Sequence, residues 1–170
     1  FSKNLHEFVV YLDKISEDLM IYKSPSTLYD PINYLFSKKG KKIRGILTLI
    51  THNLFDGNIK DVKSLVLAIE SLHNFTLIHD DVMDNALLRR GDLTINQKWS
   101  NNQAILSGDV LFIQSCMHLL KLDKISTSFL QEFMSISIQI CEGQQLDLDM
   151  QRIKIVSLDE YFKMINLKTG

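Results

Sequence analysis

Apolar side chains recur at helical spacing along nearly the whole chain, and the breaks between them carry turn residues. From Asn4 to Tyr22 the positions Leu5, Phe8, Val9, Leu12, Ile15 and Leu19 share one helix face, which Ser24-Pro25-Ser26 ends. A second helical stretch covers about Thr27 to Phe36, and after the break at Gly40 a third runs from Ile43 to Phe55, stopping at Asp56-Gly57-Asn58. The fourth is longer. Val62, Leu65, Val66, Ile69, Leu72 and Thr76 form a stripe that leads directly into His79-Asp80-Asp81-Val82-Met83-Asp84, where the pattern turns from apolar to acidic.

A polar loop is expected from Asn85 to Trp99. Beyond it, Ile105, Phe112, Ile113, Met117 and Leu120 mark a fifth helix. Phe129, Phe133, Ile136 and Ile140 mark a sixth that reaches about Asp149, and a seventh begins near Leu158 and is cut off at Gly170. No repeat, low-complexity tract or linker divides the chain. The pattern therefore predicts one all-α domain over residues 1–170, an antiparallel helix bundle with short connections and an incomplete last helix.

Composition narrows the chemistry more than the fold. With 45% hydrophobic residues, two prolines and seven glycines, the 170-residue chain can bury a core and suits long helices. A formal charge of −1 gives no general attraction to nucleic acid or anionic membrane, so charge chemistry must come from local clusters. Cys116 and Cys141 belong to no CxxC or Cys/His spacing, which points to free thiols in a reducing, cytoplasmic setting. No apolar run approaches the about 18 residues that span a bilayer. The chain opens at Phe1 with neither methionine nor a signal-peptide pattern, as expected of a trimmed or partial sequence.

Asp80 and Asp84 lie four residues apart, so on a helix their carboxylates share one face, with Asp81 beside them. Such a group repels itself unless a cation binds. Magnesium uses one or two carboxylates plus substrate phosphates and suits this spacing; a solvated acidic helix end is the alternative. The apolar stripe leading into the carboxylates favours a site over a free surface.

Two basic clusters accompany the acidic one. Lys38, Lys39, Lys41, Lys42 and Arg44 surround Gly40, and Arg89-Arg90-Gly91 follows the acidic helix after one short loop. Arginine offers a planar fork and lysine a mobile point charge, a combination suited to a diphosphate. A lone lysine run is more often a solvated face. Co-occurrence decides: a carboxylate pair, a nearby Arg pair and a separate Gly-Lys-x-x-Arg describe two diphosphate sites, one metal-dependent and one cationic. His6, His52 and His118 read as surface or core histidines. His79 reads either as packed or as hydrogen-bonded behind a metal-bound carboxylate.

In order along the chain, Gly40-Lys41-Lys42-Ile43-Arg44, His73, Leu77 through Asp84, Arg89-Arg90-Gly91, Leu106-Ser107-Gly108-Asp109, Gly143-Gln144-Gln145-Leu146-Asp147 and Lys168-Thr169-Gly170 resemble the trans-isoprenyl (polyprenyl) diphosphate synthases. The short-chain, farnesyl- and geranylgeranyl-forming members are the nearest likeness. The resemblance implies an isoprenoid-synthase helix bundle represented by its N-terminal half, ending before a second aspartate-rich motif. It implies Mg2+ held by Asp80 and Asp84 with Asp81 in support, and Arg89 on the allylic diphosphate. Lys41, Arg44, His73 and Arg90 match the isopentenyl diphosphate site. Gln144, Asp147, Lys168 and Thr169 match the allylic pocket, where Lys168 and Thr169 also stabilise the developing carbocation. Phe75 and Thr76 match chain-length positions, implying C15 to C20 products, and a homodimer is typical. Gly45 and Leu93 stand where the family commonly has proline.

The reaction so implied joins an allylic diphosphate to isopentenyl diphosphate by ionisation, condensation and proton loss. A class I terpene cyclase shares the acidic motif but takes one diphosphate and has no need of Lys41 and Arg44. A diphosphate-binding subunit without turnover is the third alternative, and the chain alone is expected to bind better than it catalyses.

Overall fold

The computed structural model describes residues 2–38 and 40–170, with side chains described from Leu5 onward; Lys39 of the basic cluster lies outside the described residues. These residues fall into two compact units, one ending at Asp123 and one spanning Lys124–Gly170.

The first unit is built on α1 (Ser2–Ser16), α2 (Ser26–Ser37), α3 (Ile43–Leu54), α4 (Lys63–Met83) and α6 (Asn101–Leu119), with a short α5 (Ile95–Lys98). Helix α1 is shorter than its apolar pattern implies, because the chain tightens into a 3-10 turn over Glu17–Leu19. Most of the stripe survives the change: Phe8, Leu12, Ile15 and Leu19 are all buried, against Leu49 of α3 and Val66 and Leu67 of α4, while Leu5 and Val9 at its edge are exposed. A second cluster joins Ile32 of α2, Ile78 of α4, Ile95 of α5 and Ala104 and Leu111 of α6.

Helix α4 enters both clusters and is buried on more than one face, with Val66, Leu67, Ala68, Ser71 and Leu72 all inside. A helix apolar nearly all round belongs in the middle of a bundle. Leu65 and Ile69, placed on its core stripe by periodicity, are only half-buried, because neighbours cover several sides of α4. Helices α4 and α6 run antiparallel: Phe75 packs on Phe112 with ring centroids 5.3 Å apart, and one turn further on His79 meets Gly108.

The segment expected to be a polar loop is ordered by its turn chemistry. Arg90 at φ 56 and Gly91 at φ 88 form a two-residue turn with both residues left-handed, which matches the twist of paired strands. It joins β1 (Leu88–Arg89) to β2 (Asp92–Leu93), with Leu88 opposite Leu93 and Arg89 opposite Asp92. Thr94 closes the base through its hydroxyl, which donates to the Ala86 carbonyl at 2.7 Å. Apart from this hairpin the fold is all-α.

The second unit is the pair α7 (Thr127–Met150) and α8 (Leu158–Lys168). Ser126 and Ser157 cap the two helices, the latter in a reciprocal capping box with Glu160. Gly143 lets α8 approach: a Cβ there would overlap the backbone of Leu167 and Lys168.

Gly108 has the same function between α4 and α6, where a Cβ would overlap the His79 ring. Gly108→Val is therefore expected to destabilise the protein by about 1–3 kcal/mol through overpacking, measured by urea denaturation. An unchanged midpoint would show that the two helices part without cost.

Candidate active site

The acidic motif occupies the C-terminal end of α4. Carboxylates there face the negative end of the helix dipole, each unfavourable by roughly 0.3–1 kcal/mol at the surface, so the sequence has placed a charge group where only a cation makes it comfortable. Arg89 supplies one. Its Nε lies 2.9 and 2.8 Å from the two Asp81 oxygens, and its Nη2 lies 2.7 Å from Oδ1. The guanidinium is held above its ordinary pKa first by that hydrogen bond, with the charges of Asp81, Asp80 and Asp84 adding and burial opposing.

Asp81 is thus buried and committed to Arg89, while Asp80 is half-buried and Asp84 exposed at the helix end. Among the described residues no three His, Cys, Asp or Glu side chains converge as a metal-holding group. Two carboxylates one turn apart still suit magnesium, which completes its shell with water and substrate oxygens. The donor set fits that ion with Asp80 and Asp84 as protein ligands and Asp81 acting through Arg89.

His79, left open between two roles, is turned to α6. Its Nε2 lies 3.1 Å from the Ile105 carbonyl and 3.6 Å from Asp109 Oδ1, and its ring meets Phe75 edge-on at 4.6 Å. It is a packing residue. Phe75 consequently sits in the α4–α6 interface between His79 and Phe112, one turn before the acidic motif, and the Thr76 hydroxyl is bound to the His73 carbonyl at 2.8 Å.

The basic residues build a cavity of about 570 Å³. Lys41, Arg44, His73 and Arg90, drawn from three separate sequence motifs, all line it over an apolar base of Leu19, Leu35 and Phe36. Gly40 leaves room for the Arg90 guanidinium, which a Cβ at that position would displace. Arg44 Nη1 approaches His73 Nε2 to 3.4 Å. Lys42 is diverted to Asp13 at 2.9 Å, and Lys38, also on the wall, bridges to Asp92 at 2.6 Å.

Sequence reading missed two participants. Glu70 lines the same cavity and is 5% exposed; a charged residue inside the apolar run Leu67–Leu72 was its signal. The Lys38–Asp92 bridge had none, because the partners are far apart in sequence and meet only through the hairpin.

In the second unit Asp147 and Lys168 form an ion pair at 2.5 Å. Gln144 is 6% exposed, and neither amide atom has a hydrogen-bond partner. Thr169 follows α8 in a non-helical conformation and is exposed.

A family model described as polyprenyl synthetase matches residues 25–170. The short chain isoprenyl diphosphate synthase of Methanocaldococcus jannaschii is 35% identical over the whole of this chain and 51% of its own length. The geranylgeranyl pyrophosphate synthetase of Geoglobus acetivorans superposes with a TM-score of 0.92 at 28% identity, covering 98% of this chain and 55% of that one. A polyprenyl synthase from Caulobacter crescentus, solved with calcium and isoprenyl diphosphate, gives 0.88 at 25% identity, covering 98% and 50%. The chain spans about half the length of the relatives it matches.

Burial, reinforced by the guanidinium groups of Arg44, Arg90 and Arg89, lowers the His73 imidazole from 6.5 to about 4. The unfolded chain then binds a proton near pH 6.5 that the folded chain refuses until about pH 4. Stability is lost as pH falls through that window and regained as it rises. His118, also lowered to about 4 by burial, acts in the same direction, so His73→Gln is needed to assign the signal. By NMR titration His73 should stay neutral to about pH 4 and titrate higher once inorganic diphosphate neutralises the neighbouring cations. No upward movement at saturating diphosphate would place the anion elsewhere.

Proposed function

This chain belongs to the polyprenyl synthetase family, and from that premise we propose that the protein, at the length its relatives have, is a magnesium-dependent trans-prenyltransferase. It condenses an allylic diphosphate with isopentenyl diphosphate. The observation that carries the reading is the cation-lined cavity, distinct from the acidic motif, in which Lys41, Arg44, His73 and Arg90 meet. A terpene cyclase handles one diphosphate and has no use for this second site.

The residues divide the work by charge. Asp80 and Asp84 hold Mg2+, which when bound supplies positive charge to the leaving diphosphate. Arg89, kept in place by Asp81, adds fixed positive charge to that leaving group, and in the second unit Lys168, kept in place by Asp147, supplies a further fixed cation. Gln144 and Thr169 line the allylic pocket; the unpartnered amide of Gln144 is a group that a substrate can satisfy. Lys41, Arg44, His73 and Arg90 orient isopentenyl diphosphate so that its double bond attacks the allylic carbon as the C–O bond opens. The departed diphosphate takes the proton lost at the end, and no side chain is assigned as base.

Phe75, braced by Phe112 and His79, is the proposed stop for the growing chain, with Thr76 beside it. A stop so close to the acidic motif supports products of C15 to C20. Two unpaired cysteines support a cytoplasmic setting, and among the described residues no helix is long and apolar enough to cross a membrane. The exposed side chains Leu106, Ile113 and Met117 of α6, with Leu120 just beyond its end, support a homodimer.

The decisive assay incubates the full-length protein with labelled isopentenyl diphosphate, C5 to C15 allylic partners and magnesium, followed by sizing of the dephosphorylated product. Turnover should require both substrates and stop on chelation, giving C15 or C20; Phe75→Ala should lengthen the product. Turnover of the allylic substrate alone would favour cyclisation. An unchanged product from Phe75→Ala would remove that side chain as the stop.

A further inference from the structure

Helix α3 begins without a cap of its own. Lys42 is the N-cap residue, held at φ 45 and ψ 39, and its side chain makes no capping bond. Its ammonium reaches away to Asp13. A helix start leaves several backbone N–H groups without intrahelical acceptors, and the N-cap side chain ordinarily serves the N–H two or three places on. Here the N–H three places on belongs to Gly45, and its acceptor comes from another helix: Glu70 Oε1 of α4, at 2.9 Å.

We propose that Glu70 is a positioning residue for the cationic cavity, capping α3 from α4 and thereby fixing Arg44 where it receives a diphosphate. This rests on the diphosphate reading of that cavity. Arg44 immediately precedes Gly45, so a single planar peptide joins the capped N–H to the residue that carries the guanidinium. On the other side Arg44 approaches His73, one turn beyond Glu70 on α4. Helix α4 therefore meets α3 both at the Gly45 N–H and at the Arg44 guanidinium.

Gly45 makes the contact available. A proline at this position has no N–H to donate, and a Cβ would stand 2.9 Å from Leu12 Cδ1 and 3.0 Å from Glu70 Oε1. Burial raises the Glu70 carboxyl, while the Gly45 N–H and the charges of Lys42, Arg44 and Arg90 pull it down. Either protonation state leaves an oxygen to accept from Gly45, so the cap does not depend on which one prevails.

The test uses the full-length protein, calorimetric titration with inorganic diphosphate without divalent metal, and five variants. Arg44→Ala reports on the cavity itself and should weaken binding at least about tenfold, as expected when a charge-assisted contact is lost. Glu70→Leu removes the cap, and Gly45→Pro removes the donor while leaving the carboxylate; Gly45→Ala adds the same Cβ but keeps the N–H and separates crowding from loss of the donor. Glu70→Leu and Gly45→Pro should each weaken binding several-fold beyond Gly45→Ala. Glu70→Gln keeps an acceptor and should stay within about twofold of wild type. In turnover, Glu70→Leu and Gly45→Pro should raise KM for isopentenyl diphosphate and leave KM for the allylic partner unchanged. If Arg44→Ala weakens binding and Gly45→Pro does not, the cap is overturned and the cavity stands. If Arg44→Ala has no effect, the cavity reading falls and the cap with it. Equal losses in Glu70→Gln and Glu70→Leu would assign the effect to charge and overturn capping. Should Glu70→Leu fail to fold, the difference between Gly45→Pro and Gly45→Ala decides.

Discussion

The fork between Arg89 and Asp81 is the contact on which both halves of the site depend. It ties a hairpin with two-residue strands to the end of the central helix, and such a hairpin has too little pairing to hold its own position. Arg90 follows by one residue, at a left-handed φ, and is delivered to the opposite side of the turn against Gly40. Neighbouring arginines thus serve different partners: the first faces the carboxylates of α4 and the second the cavity of Lys41, Arg44 and His73. The Lys38–Asp92 bridge and the Tyr34 hydroxyl on the Leu93 carbonyl hold the other strand to α2.

Charge of opposite sign is concentrated on either side of that hairpin, although the chain as a whole is nearly neutral. The arrangement is costly without ligands. Asp80, Asp81 and Asp84 sit at the unfavourable end of a helix dipole, and burial, with the charges of Arg44 and Arg90 adding to it, lowers the His73 imidazole to about 4. Glu70 is taken out of water, a cost that the Gly45 N–H and the charges of Lys42, Arg44 and Arg90 offset only in part. A cation at the first place and an anion at the second would relieve these repulsions, which is why charge-clustered sites are commonly strained in the free protein and settle on binding.

Much of this was legible in the sequence because it depends on local spacing. The boundaries of α2, α3 and α4 follow from apolar periodicity and turn residues, and the Asp80–Asp84 pair follows from four residues per helical turn. What escaped was set by distance through space. The segment from Asn85 to Trp99 reads as polar loop because its strands are too short to show alternation, and Arg90 is an uncommon residue for a left-handed turn position. Asp81 reads as support for Asp80 and Asp84, and its pairing with Arg89, eight residues on, forms only once the hairpin folds back. Glu70 was visible as a charge in an apolar run, but its partner is a backbone N–H, and no sequence pattern announces one.

The glycines show how close approach, more than loop freedom, organises the functional residues. Gly40 admits Arg90, Gly108 admits His79, and Gly143 admits the end of α8 beside which Asp147 and Lys168 pair. In each case a Cβ would occupy space that a functional or bracing side chain, or the backbone carrying one, already fills. These positions are tied to their partners in size, so a larger residue at any of them would have to be accommodated by moving a charged group or the helix that holds it. Packing density therefore does here what electrostatics alone could not. It sets the backbone at Lys168 against Gly143 and the His79 ring against Gly108, so the ion pair of Asp147 and the acidic end of α4 each start from a fixed position.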